Sequence, residues 1–569
     1  MTGPARPERQ SGARIMCRAL VDAGVDVVFG YPGGAIMPFY HALPEFPQLR
    51  HILVRHEQAA AHAADGYARA SGRVGVCVAT SGPGATNLVT GLATAMMDSS
   101  PVVAITGQVS RAMMGKDAFQ ETDIVGITLP ITKHSYLVED VSELSDVMAE
   151  ALKLAAAGRP GPVLIDVPKD VQNQEAEYSA AGRALPAAAQ VVTGQPAPAK
   201  LDDAVREAAQ MIDAAERPLL MIGRGVILAN AYAEVRALAE KTGTPVITTL
   251  LGISAFAENH PLHLGMPGMH GEVHVNRAIQ QADVVIGVGL RFDDRVTGNT
   301  ASFAPRARII HIDLDPTEIG RTVKVALGIA GDARQVLRRL VPAVSARQRE
   351  SWLDEIRGLT RNRPTAAGEL TPEAILSALH DATRGECTIV TDVGQHQMWI
   401  AKLFPYRRPN THITSGGLGT MGFSVPAAMG VHLARPAEPV WSISGDGGFQ
   451  MNLPEMATMV QEQLPVKLGI FNNGYLGMVR QWQQFFHERR YSCTPIWSPD
   501  YVKLAEAYGI PAWRVTRPDQ LADALSGANA APGPALVEFV IEQEANVFPM
   551  IRPGGSLSEP IEAVPAAGD

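Results

Sequence analysis

The sequence predicts an α/β protein made of three doubly wound parallel sheets. Short apolar runs alternate with helix-like segments along most of the chain, which is the pattern of parallel strands covered by helices on both faces. A length of 569 residues allows about three domains of ~150–200 residues each. The first and third blocks have similar lengths and the same rhythm of helix and strand, which suggests a duplicated architecture, although no clear internal sequence repeat is present.

The composition excludes several functional classes. The net charge is −9 and no run of Lys or Arg is present, so nucleic acid is not an expected partner. No stretch approaches ~18 uninterrupted apolar residues, and residues 1–12 lack the apolar core of a signal peptide, so we expect no membrane span and a cytoplasmic location. The cysteines form no CxxC motif, fit a reducing compartment and give no zinc site; they are Cys17, Cys77, Cys387 and Cys493.

The first block, residues 11–185, opens with a helix-like segment at residues 11–20. Its predicted strands lie at residues 25–29, 50–54, 74–79, 102–105 and 163–167. An Ala-rich helix is predicted at residues 57–71, directly after the second strand. Residues 176–200 are rich in Ala, Gly and Pro and lack periodicity, so they predict a linker.

The second block, residues 200–345, has predicted strands at residues 219–222, 246–250, 284–288 and 309–313. A charged helical stretch at residues 347–363 leads into the third block, residues 371–550. That block has a predicted strand at residues 387–391 and a βαβ unit at residues 441–473. The segment after Pro549 is rich in Gly and Pro, and we expect it to be a mobile lid or a frayed end.

The βαβ unit carries the most specific chemical pattern. One strand runs into Gly445-Asp446-Gly447, a helix follows Gly448, and a second strand runs into Asn472-Asn473. A right-handed parallel unit places Asp446 and Asn473 side by side at the carboxyl edge of the sheet, where ligands bind. Carboxylate, amide and backbone oxygens suit Mg²⁺, and the glycines and the helix N-terminus suit a diphosphate. A lone Gly-Asp-Gly is most often only a turn. Here the preceding strand, the spacing, the helix and the Asn pair all agree with a ligand site, so the pattern is much more specific.

Glu57 stands at the start of the Ala-rich helix. A glutamate in a first turn is often explained by the helix dipole alone. The apolar residues around Glu57 allow a second interpretation, a carboxyl buried away from water.

The βαβ pattern resembles that of the thiamine diphosphate (ThDP) enzymes. Over residues 11–550 the chain is similar to the catalytic subunit family of acetohydroxyacid synthase (acetolactate synthase). The motifs that carry this resemblance are Arg55-His-Glu-Gln-Ala-Ala-Ala-His62, Thr80-Ser-Gly-Pro-Gly-Ala-Thr-Asn87, Asp117-Ala-Phe-Gln-Glu-Thr-Asp123, Gly158-Arg-Pro-Gly-Pro-Val163, Arg291-Phe-Asp-Asp-Arg-Val-Thr-Gly298, Gly394-Gln-His-Gln-Met-Trp399, Thr414-Ser-Gly-Gly-Leu-Gly-Thr-Met-Gly422 and Gly477-Met-Val-Arg-Gln-Trp482.

The resemblance implies a complete ThDP site. Glu57 would bond the pyrimidine ring and favour the tautomer that activates the cofactor. Mg²⁺ would be held by Asp446, Asn473 and the Tyr475 carbonyl. Met421 would hold the cofactor bent, with a gap-filling core methionine as the alternative. The implied ThDP-binding set is Pro32, Asn87, Gly394, Gln395, His396, Met421, Gly445, Asp446, Gly447, Gly448, Asn473, Tyr475 and Met478.

The resemblance also implies FAD without a redox role in the middle block. The Gly223/Gly225 pair is weak evidence by itself, whereas the motif at residues 291–295 is typical of the FAD-containing biosynthetic branch. The implied FAD-binding set is Arg159, Gly223, Arg224, Gly225, Thr249, Leu250, Gly268, Met269, His270, Gly289, Arg291, Asp293, Arg295, Asp313 and Asp332.

The implied reaction decarboxylates pyruvate and joins the product to a second pyruvate or to 2-ketobutyrate. It gives 2-acetolactate or 2-aceto-2-hydroxybutyrate for branched-chain amino acid biosynthesis. Arg295 would take the carboxylate of the second keto acid. Trp482 would shape the acceptor pocket, with a core aromatic as the alternative. The resemblance places Gln120 and Gly34 near the reacting centre, and Lys169 and Phe119 in the access channel.

The resemblance further implies a homodimer or homotetramer in which Glu57 and Asp446 of different subunits meet at each active site. Biosynthetic members of the family usually bind a small regulatory subunit as well. Ser110 stands where the family usually has Pro, close to the site of the family's herbicides, and predicts altered inhibitor sensitivity. Residues 549–556 fit the family pattern only loosely.

Three alternative functions are less consistent with the sequence. A decarboxylase that releases an aldehyde often has a His pair in its first domain, whereas residues 106–123 contain no His. Glyoxylate carboligase lacks the glutamate that Glu57 supplies. A non-catalytic nucleotide-binding regulator is disfavoured because Asp117 stands where a P-loop needs Ser or Thr.

Overall fold

The computed structural model describes residues 9–178, 201–359 and 369–564. Within these ranges the chain forms three six-stranded sheets, and the strand pairs in each are parallel, which confirms the α/β class. Most of the predicted linker, residues 179–200, lies outside the described residues, as do residues 360–363 of the charged helical stretch. No helix in the described part of the chain is both long and apolar enough to cross a membrane.

The first block contains an isolated antiparallel pair and one large sheet. Its strands are β1 (Arg9–Ser11), β2 (Val27–Gly30), β3 (Arg50–Leu53), β4 (Gly75–Ala79), β5 (Val102–Gln108), β6 (His134–Leu137), β7 (Val163–Pro168) and β8 (Glu175–Glu177). Its helices are α1 (Gly12–Asp22), α2 (Met37–Ala42), α3 (Glu57–Ser71), α4 (Pro83–Asn87), α5 (Val89–Met97), α6 (Ile124–Thr128), α7 (Leu144–Ala156) and α8 (Lys169–Asn173). The sheet order is β3-β2-β4-β5-β7-β6. Since β1 pairs with β8, residues 176 and 177 belong to a strand and not to the predicted linker.

The middle block has the strand order of dinucleotide-binding sheets. Its strands are β9 (Pro218–Ile222), β10 (Val246–Thr248), β11 (His263–Gly265), β12 (Val284–Val288), β13 (Arg308–Asp313) and β14 (Leu327–Ala330). Its helices are α9 (Leu201–Ala214), α10 (Arg224–Leu228), α11 (Tyr232–Thr242), α12 (Val273–Gln281), α13 (Asp294–Thr297), α14 (Ala333–Ala343) and α15 (Glu350–Gly358). The sheet order is β11-β10-β9-β12-β13-β14. The direction of winding therefore switches between β9 and β12, where such sheets bind ligands.

The third block repeats the topology of the first. Its strands are β15 (Thr388–Thr391), β16 (His412–Thr414), β17 (Val440–Gly445), β18 (Lys467–Asn472), β19 (Ala512–Val515), β20 (Ala535–Val540), β21 (Met550–Ile551) and β22 (Pro560–Ile561). Its helices are α16 (Pro372–Thr383), α17 (Gln395–Leu403), α18 (Ser424–Ala434), α19 (Asp446–Asn452), α20 (Glu455–Gln461), α21 (Gly477–Phe486), α22 (Tyr501–Ala507) and α23 (Leu521–Ala530). The sheet order is β16-β15-β17-β18-β20-β19. When the strands of each sheet are numbered from its own first strand in the chain, the first and third sheets have the same order, which bears out the duplicated architecture.

The helical part of the βαβ unit differs from the prediction. The first helix, α19, begins at Asp446, so the glycines after Asp446 form its first turn and do not precede it. The helical part is also divided into two helices. Pro454 lies between α19 and α20 and has no amide hydrogen to continue a helix, and α20 begins at Glu455.

A close helix crossing joins the first block to the third. A Cβ at Gly66 of α3 would lie 2.1 Å from the Ala427 carbonyl oxygen, and one at Gly430 of α18 would lie 1.9 Å from the Ala63 carbonyl oxygen. Because glycine has no Cβ, the two backbones can approach this closely. The crossing matters for function because α3 begins with Glu57.

Arg69, three residues beyond Gly66, adds a buried ion cluster to the crossing. Its guanidinium bonds Asp65 at 2.7 Å and Asp98 at 2.9 Å, and it donates to the Thr414 carbonyl of the third block at 2.7 Å. The three charged side chains are at most 1% exposed. Buried charges are tolerated only when paired, so this cluster fixes how the two blocks meet.

The segment after Pro549 is not frayed within the described residues. Ile551 donates its amide to the Met269 carbonyl at 2.7 Å, and Asn299 donates to the Gly555 carbonyl at 2.9 Å. Both contacts are with the middle block. Met550 and Leu557 are buried, so apolar contacts hold the segment as well.

The helix crossing predicts a specific stability defect. Gly430→Ala places a methyl group against the Ala63 carbonyl and is expected to lower the free energy of unfolding by about 1–3 kcal/mol. Chemical denaturation measures this. Gly358→Ala is the matched control, since a Cβ at Gly358 in α15 has no neighbour within 4 Å. Equal stabilities of the two variants would contradict the tight crossing.

Candidate active site

All the predicted ThDP residues of the third block line one pocket. The pocket lies at the carboxyl ends of β15, β17 and β18. Its lining includes Gly394, Gln395, His396, Met421, Gly445, Asp446, Gly447, Gly448, Asn473, Tyr475 and Met478. The winding of this sheet switches between β15 and β17, so the pocket stands where an open parallel sheet binds ligands.

Asp446 and Asn473 follow adjacent parallel strands, as predicted from the βαβ unit. The Asp446 carboxylate accepts hydrogen bonds from the amides of Gly474 at 2.8 Å and Gly447 at 3.0 Å. Asn473 accepts from the Tyr475 amide at 3.2 Å, which fixes its side chain. Burial raises the pKa of Asp446 to about 6, although both amides oppose the shift. A cation bound here would favour the ionised carboxylate, and the donor set is the oxygen type that Mg²⁺ prefers.

The opposite wall of the pocket fits a polar ligand. Burial lowers the pKa of His396 to about 3, so its ring is neutral. The His396 Nε2 atom is buried and has no hydrogen-bond partner among the described residues. A Cβ at Gly445 would lie 3.0 Å from the His396 Nδ1 atom, and one at Gly447 would lie 3.6 Å from Cε of Met421. The glycines thus leave open the space between His396 and Met421, as a cofactor requires.

Asp392 organises this pocket, and the sequence analysis did not identify it. Its buried carboxylate accepts from the Gly422 amide at 3.0 Å, and from the amide and hydroxyl of Ser424 at 3.1 and 3.2 Å. These bonds tie the loop that carries Met421 to the end of β15. A Cβ at Gly448 would lie 2.5 Å from Asp392 Oδ1, so the turn after Asp446 also packs on this carboxylate.

Glu57 lies in a second cluster, at the carboxyl edge of the first sheet. It is the first residue of α3 and is 9% exposed, so it is both a first-turn glutamate and a buried carboxyl. Asn87 donates to it at 2.8 Å, and a Cβ at Gly84 would lie 3.2 Å from its Oε1 atom. The pocket around Asp446 is lined by residues from Val393 to Ile541, so Glu57 and its neighbours do not line it within the single chain.

The other first-block candidates stand around this open edge. The side of Gly34 is open, with no atom within 4 Å of an added Cβ, while its neighbour Ala35 donates to the Thr80 hydroxyl at 3.2 Å. Gln120 has a left-handed backbone, with φ 60°, and packs against Gly82. Two candidates are exposed, Phe119 at 89% and Lys169 at the start of α8. Pro32 is half-buried in the loop after β2, and Ser110 is half-buried before the 3₁₀ turn Arg111–Met113.

The glycines predicted to bind FAD meet at the switch point of the middle sheet. Gly225 donates to the Gly289 carbonyl at 2.9 Å, and a Cβ at Gly225 would lie 2.5 Å from the Gly289 Cα. Gly223 donates to the Val288 carbonyl at 3.0 Å. Arg224 and His270 are half-buried, and in the described ranges their buried Nε and Nδ1 atoms, respectively, lack hydrogen-bond partners. The crevice therefore offers close backbone approach and unused polar atoms.

Several acidic FAD candidates also have structural roles. Asp293 caps α13 by accepting the amides of Arg295 and Val296, and Asp332 caps α14 while its Oδ2 atom is left buried and unbonded within the described chain. Burial raises the pKa of Asp313, at the end of β13, to about 6. Of the remaining candidates, Thr249 and Leu250 follow β10, and Gly268 packs on the Arg295 carbonyl. The Arg291 guanidinium lies 3.9 Å from the Asp293 carboxylate. Arg159 forms an ion pair with Glu318 at 2.7 Å.

Arg295 and Trp482 come together from different blocks. The Arg295 guanidinium carbon lies 5.7 Å from the Trp482 ring centroid, and Nη1 lies 3.3 Å from the Met269 sulfur. The Arg295 side chain is 55% exposed, so it remains accessible to a carboxylate. Trp482 packs with an apolar cluster that contains Met269, Phe485, Phe486, Phe548 and Met550. Trp482 is also on α21, the helix whose residue Met478 lines the Asp446 pocket.

Gln481, also missed by the sequence analysis, connects the two ends of this site. It accepts from the Gln395 amide group at 2.8 Å, and it exchanges two 2.9 Å bonds with the backbone of Val547. Gln395 in turn donates to the Ala545 carbonyl at 2.8 Å. These bonds attach the segment that leads to Met550 to the wall of the Asp446 pocket.

Family models match the three blocks in order. They are described as the N-terminal TPP binding domain, the central domain and the C-terminal TPP binding domain of thiamine pyrophosphate enzymes, and they match residues 10–127, 205–340 and 392–539.

Curated relatives extend this similarity over nearly the whole chain. The acetolactate synthase large subunit of Corynebacterium glutamicum is 46% identical over 571 residues, which cover 98% of this chain and 90% of the relative. The acetolactate synthase isozyme 2 large subunit of Escherichia coli is 46% identical over 554 residues, covering 97% and 99%. The acetolactate synthase of Mycobacterium bovis is also 46% identical, over 97% of this chain. The chain therefore belongs to the acetolactate synthase large-subunit family of thiamine pyrophosphate enzymes.

Proposed function

We propose that this chain condenses pyruvate with a second 2-keto acid, pyruvate or 2-ketobutyrate, to give 2-acetolactate or 2-aceto-2-hydroxybutyrate for branched-chain amino acid biosynthesis. The observation that carries the choice of acceptor is the pairing of Arg295 with Trp482. A cation orients the carboxylate of the acceptor by charge-assisted hydrogen bonds, and the indole ring bounds the space for its alkyl group. Trp482 belongs to α21, whose residue Met478 lines the Asp446 pocket, and Arg295 comes from α13 of the middle block.

The third block would hold ThDP and Mg²⁺ at that pocket. When bound, ThDP would supply the carbanion chemistry needed to decarboxylate pyruvate and transfer a two-carbon unit. Asp446, Asn473 and the Tyr475 carbonyl would hold the metal, and His396 and the glycines would receive the diphosphate. Met421 supports the cofactor from the loop that Asp392 fixes. The apolar cluster of Trp482 and Met550 keeps water from the reacting atoms, which favours ligation over release of an aldehyde.

Glu57 would activate the cofactor held by a second copy of the chain. Its carboxyl is buried, bonded to Asn87 and placed at an open sheet edge that also carries Gly34 and Gln120. The Asp446 pocket of the same chain has third-block lining only. A homodimer, or a tetramer made of dimers, would bring the two half-sites together. The names of the relatives as large subunits support a smaller regulatory partner. The free state of all four cysteines fits a cytoplasmic location.

FAD would occupy the middle block without a redox role. The strand order, the glycine contacts at the switch point and the unbonded Arg224 and His270 nitrogens support this assignment. We expect the purified enzyme to carry oxidised flavin whose absorbance does not change during turnover. Bleaching of the flavin by pyruvate would contradict the non-redox role.

The two-chain active site predicts complementation between inactive variants. Glu57→Gln is expected to lower kcat by roughly 10²–10⁴-fold, because it removes an acid–base group. Asp446→Ala is expected to abolish Mg²⁺-dependent activity. When the two variants are unfolded together and refolded as a mixture, random pairing gives roughly a quarter of wild-type acetolactate formation, since half of the dimers carry one intact site. An inactive mixture of correctly folded dimers would contradict the shared site.

Trp482 predicts a change in acceptor choice. Trp482→Leu removes the indole surface that would contact the longer alkyl group of 2-ketobutyrate, so we expect the preference for 2-ketobutyrate over pyruvate to fall roughly tenfold in a competition assay of the two products. Phe486→Leu is the control, because Phe486 packs against Trp482 with ring centroids 6.0 Å apart but was not assigned to the pocket. If the two variants shift the product ratio equally, Trp482 does not select the acceptor. If wild type releases acetaldehyde from pyruvate and forms no acetolactate, the proposed function itself is wrong.

A further inference from the structure

Glu455 contacts the turn that precedes Glu57. It is the first residue of α20 in the third block and is 0% exposed. Its Oε1 atom accepts the backbone amide of Arg55 at 2.8 Å and that of His56 at 3.2 Å. These two residues stand directly before Glu57. The carboxylate therefore reaches across the block boundary to the backbone that aims the proposed activating group.

Further hydrogen bonds surround the contact between Glu455 and the Arg55–His56 backbone. The other oxygen of Glu455 accepts from the Thr458 hydroxyl at 2.7 Å. Arg55 also reaches α20 through its side chain, by a 2.8 Å bond to Gln461, but that bond is exposed. Burial raises the pKa of Glu455, while Thr458 and the two amides oppose the shift. A glutamate at a helix start is often explained by its own helix dipole; here both oxygens have specific partners, and one serves another block.

We infer that Glu455 is a positioning residue for cofactor activation: it holds the Arg55–His56 turn so that Glu57 points at the ring it activates. The inference rests on the proposed role of Glu57. Catalytic groups must be held within ~0.5–1 Å of their working position, so loss of two part-buried backbone bonds next to Glu57 is expected to slow activation. Since α20 follows the Asp446 turn, the cofactor site of one chain supports the activating turn that serves the other site of the proposed dimer.

The chemistry of the contact separates positioning from proton transfer. Glu455→Gln keeps the chain length, and its amide oxygen can accept both backbone amides. Its NH₂ group can donate to Thr458, whose hydroxyl also lies 3.3 Å from the Leu53 carbonyl. Glu455→Asp keeps the charge but is one methylene shorter, so it withdraws from Arg55 and His56. A positioning role therefore requires cofactor activation to be faster in Glu455→Gln than in Glu455→Asp. A proton-relay role requires it to be slower in Glu455→Gln.

The experiment measures the rate at which the thiazolium C2 proton of ThDP exchanges with D₂O in the holoenzyme, by acid quench and NMR. We expect Glu455→Gln to stay within about threefold of wild type and Glu455→Asp to be at least about tenfold slower. ThDP and Mg²⁺ affinity should be unchanged in both, because neither variant alters the Asp446 pocket. Gln461→Ala, which removes only the exposed bond to Arg55, should exchange as wild type does.

Each other outcome overturns the inference. Exchange that is equally fast in Glu455→Asp and wild type removes the positioning role, as does exchange that is slower in Glu455→Gln than in Glu455→Asp. Loss of secondary structure or of cofactor binding in Glu455→Asp shows that the residue serves stability and not activation. Glu57→Gln is measured in parallel: if it exchanges at the wild-type rate, the proposed role of Glu57 has failed, and with it the basis of the inference.

Discussion

The close approach of α3 and α18 is the constraint on which the rest of the structure depends. Gly66 and Gly430 bring the two backbones together, and Arg69 then bonds Asp65, Asp98 and the Thr414 carbonyl. Each helix also begins at a functional feature, since α3 starts at Glu57 and α18 follows the loop that Asp392 ties down. The crossing that fixes the two blocks thus also fixes the positions of the Glu57 carboxyl and of the loop that carries Met421.

The duplicated topology gives one chain two sheets of the same strand order. The first and third sheets share a strand order, so each has a switch point and a carboxyl edge of its own. At the third sheet this edge carries the acidic and glycine-rich turn that suits a metal diphosphate. At the first sheet the corresponding edge carries Glu57 and Asn87 and stays open around Gly34. In the proposed function a second copy of the chain would bring one edge of each kind together at every site.

Local patterns in the sequence were sufficient to predict the positions of the elements that are buried on both faces. The helix at residues 57–71 and the strands that end at Asp446 and Asn473 appear where they were predicted, because apolar runs and glycine turns are local signals. The unpredicted strands include β6, β11 and β14, whose residues are largely part-exposed edge positions without a clear apolar run. Asp392, Glu455 and Gln481 were missed for another reason. Each is a single polar residue whose role depends on hydrogen-bond partners that are distant in the sequence and that only the fold brings near.

The segment after Pro549 shows how distant partners order a part of the chain near Trp482. Nothing in the Gly/Pro-rich sequence after Pro549 specifies order, yet Met550 is buried against Met269 and Phe485. Gln481 bonds the backbone at Val547 and also Gln395 in the cofactor pocket. The same helix carries Met478, which lines the Asp446 pocket, and Trp482, which lies against Arg295. Because Gln481 bonds both Gln395 and Val547, α21 cannot shift near Arg295 without moving the wall of the Asp446 pocket, so the positions of Trp482 and Gln395 are set together.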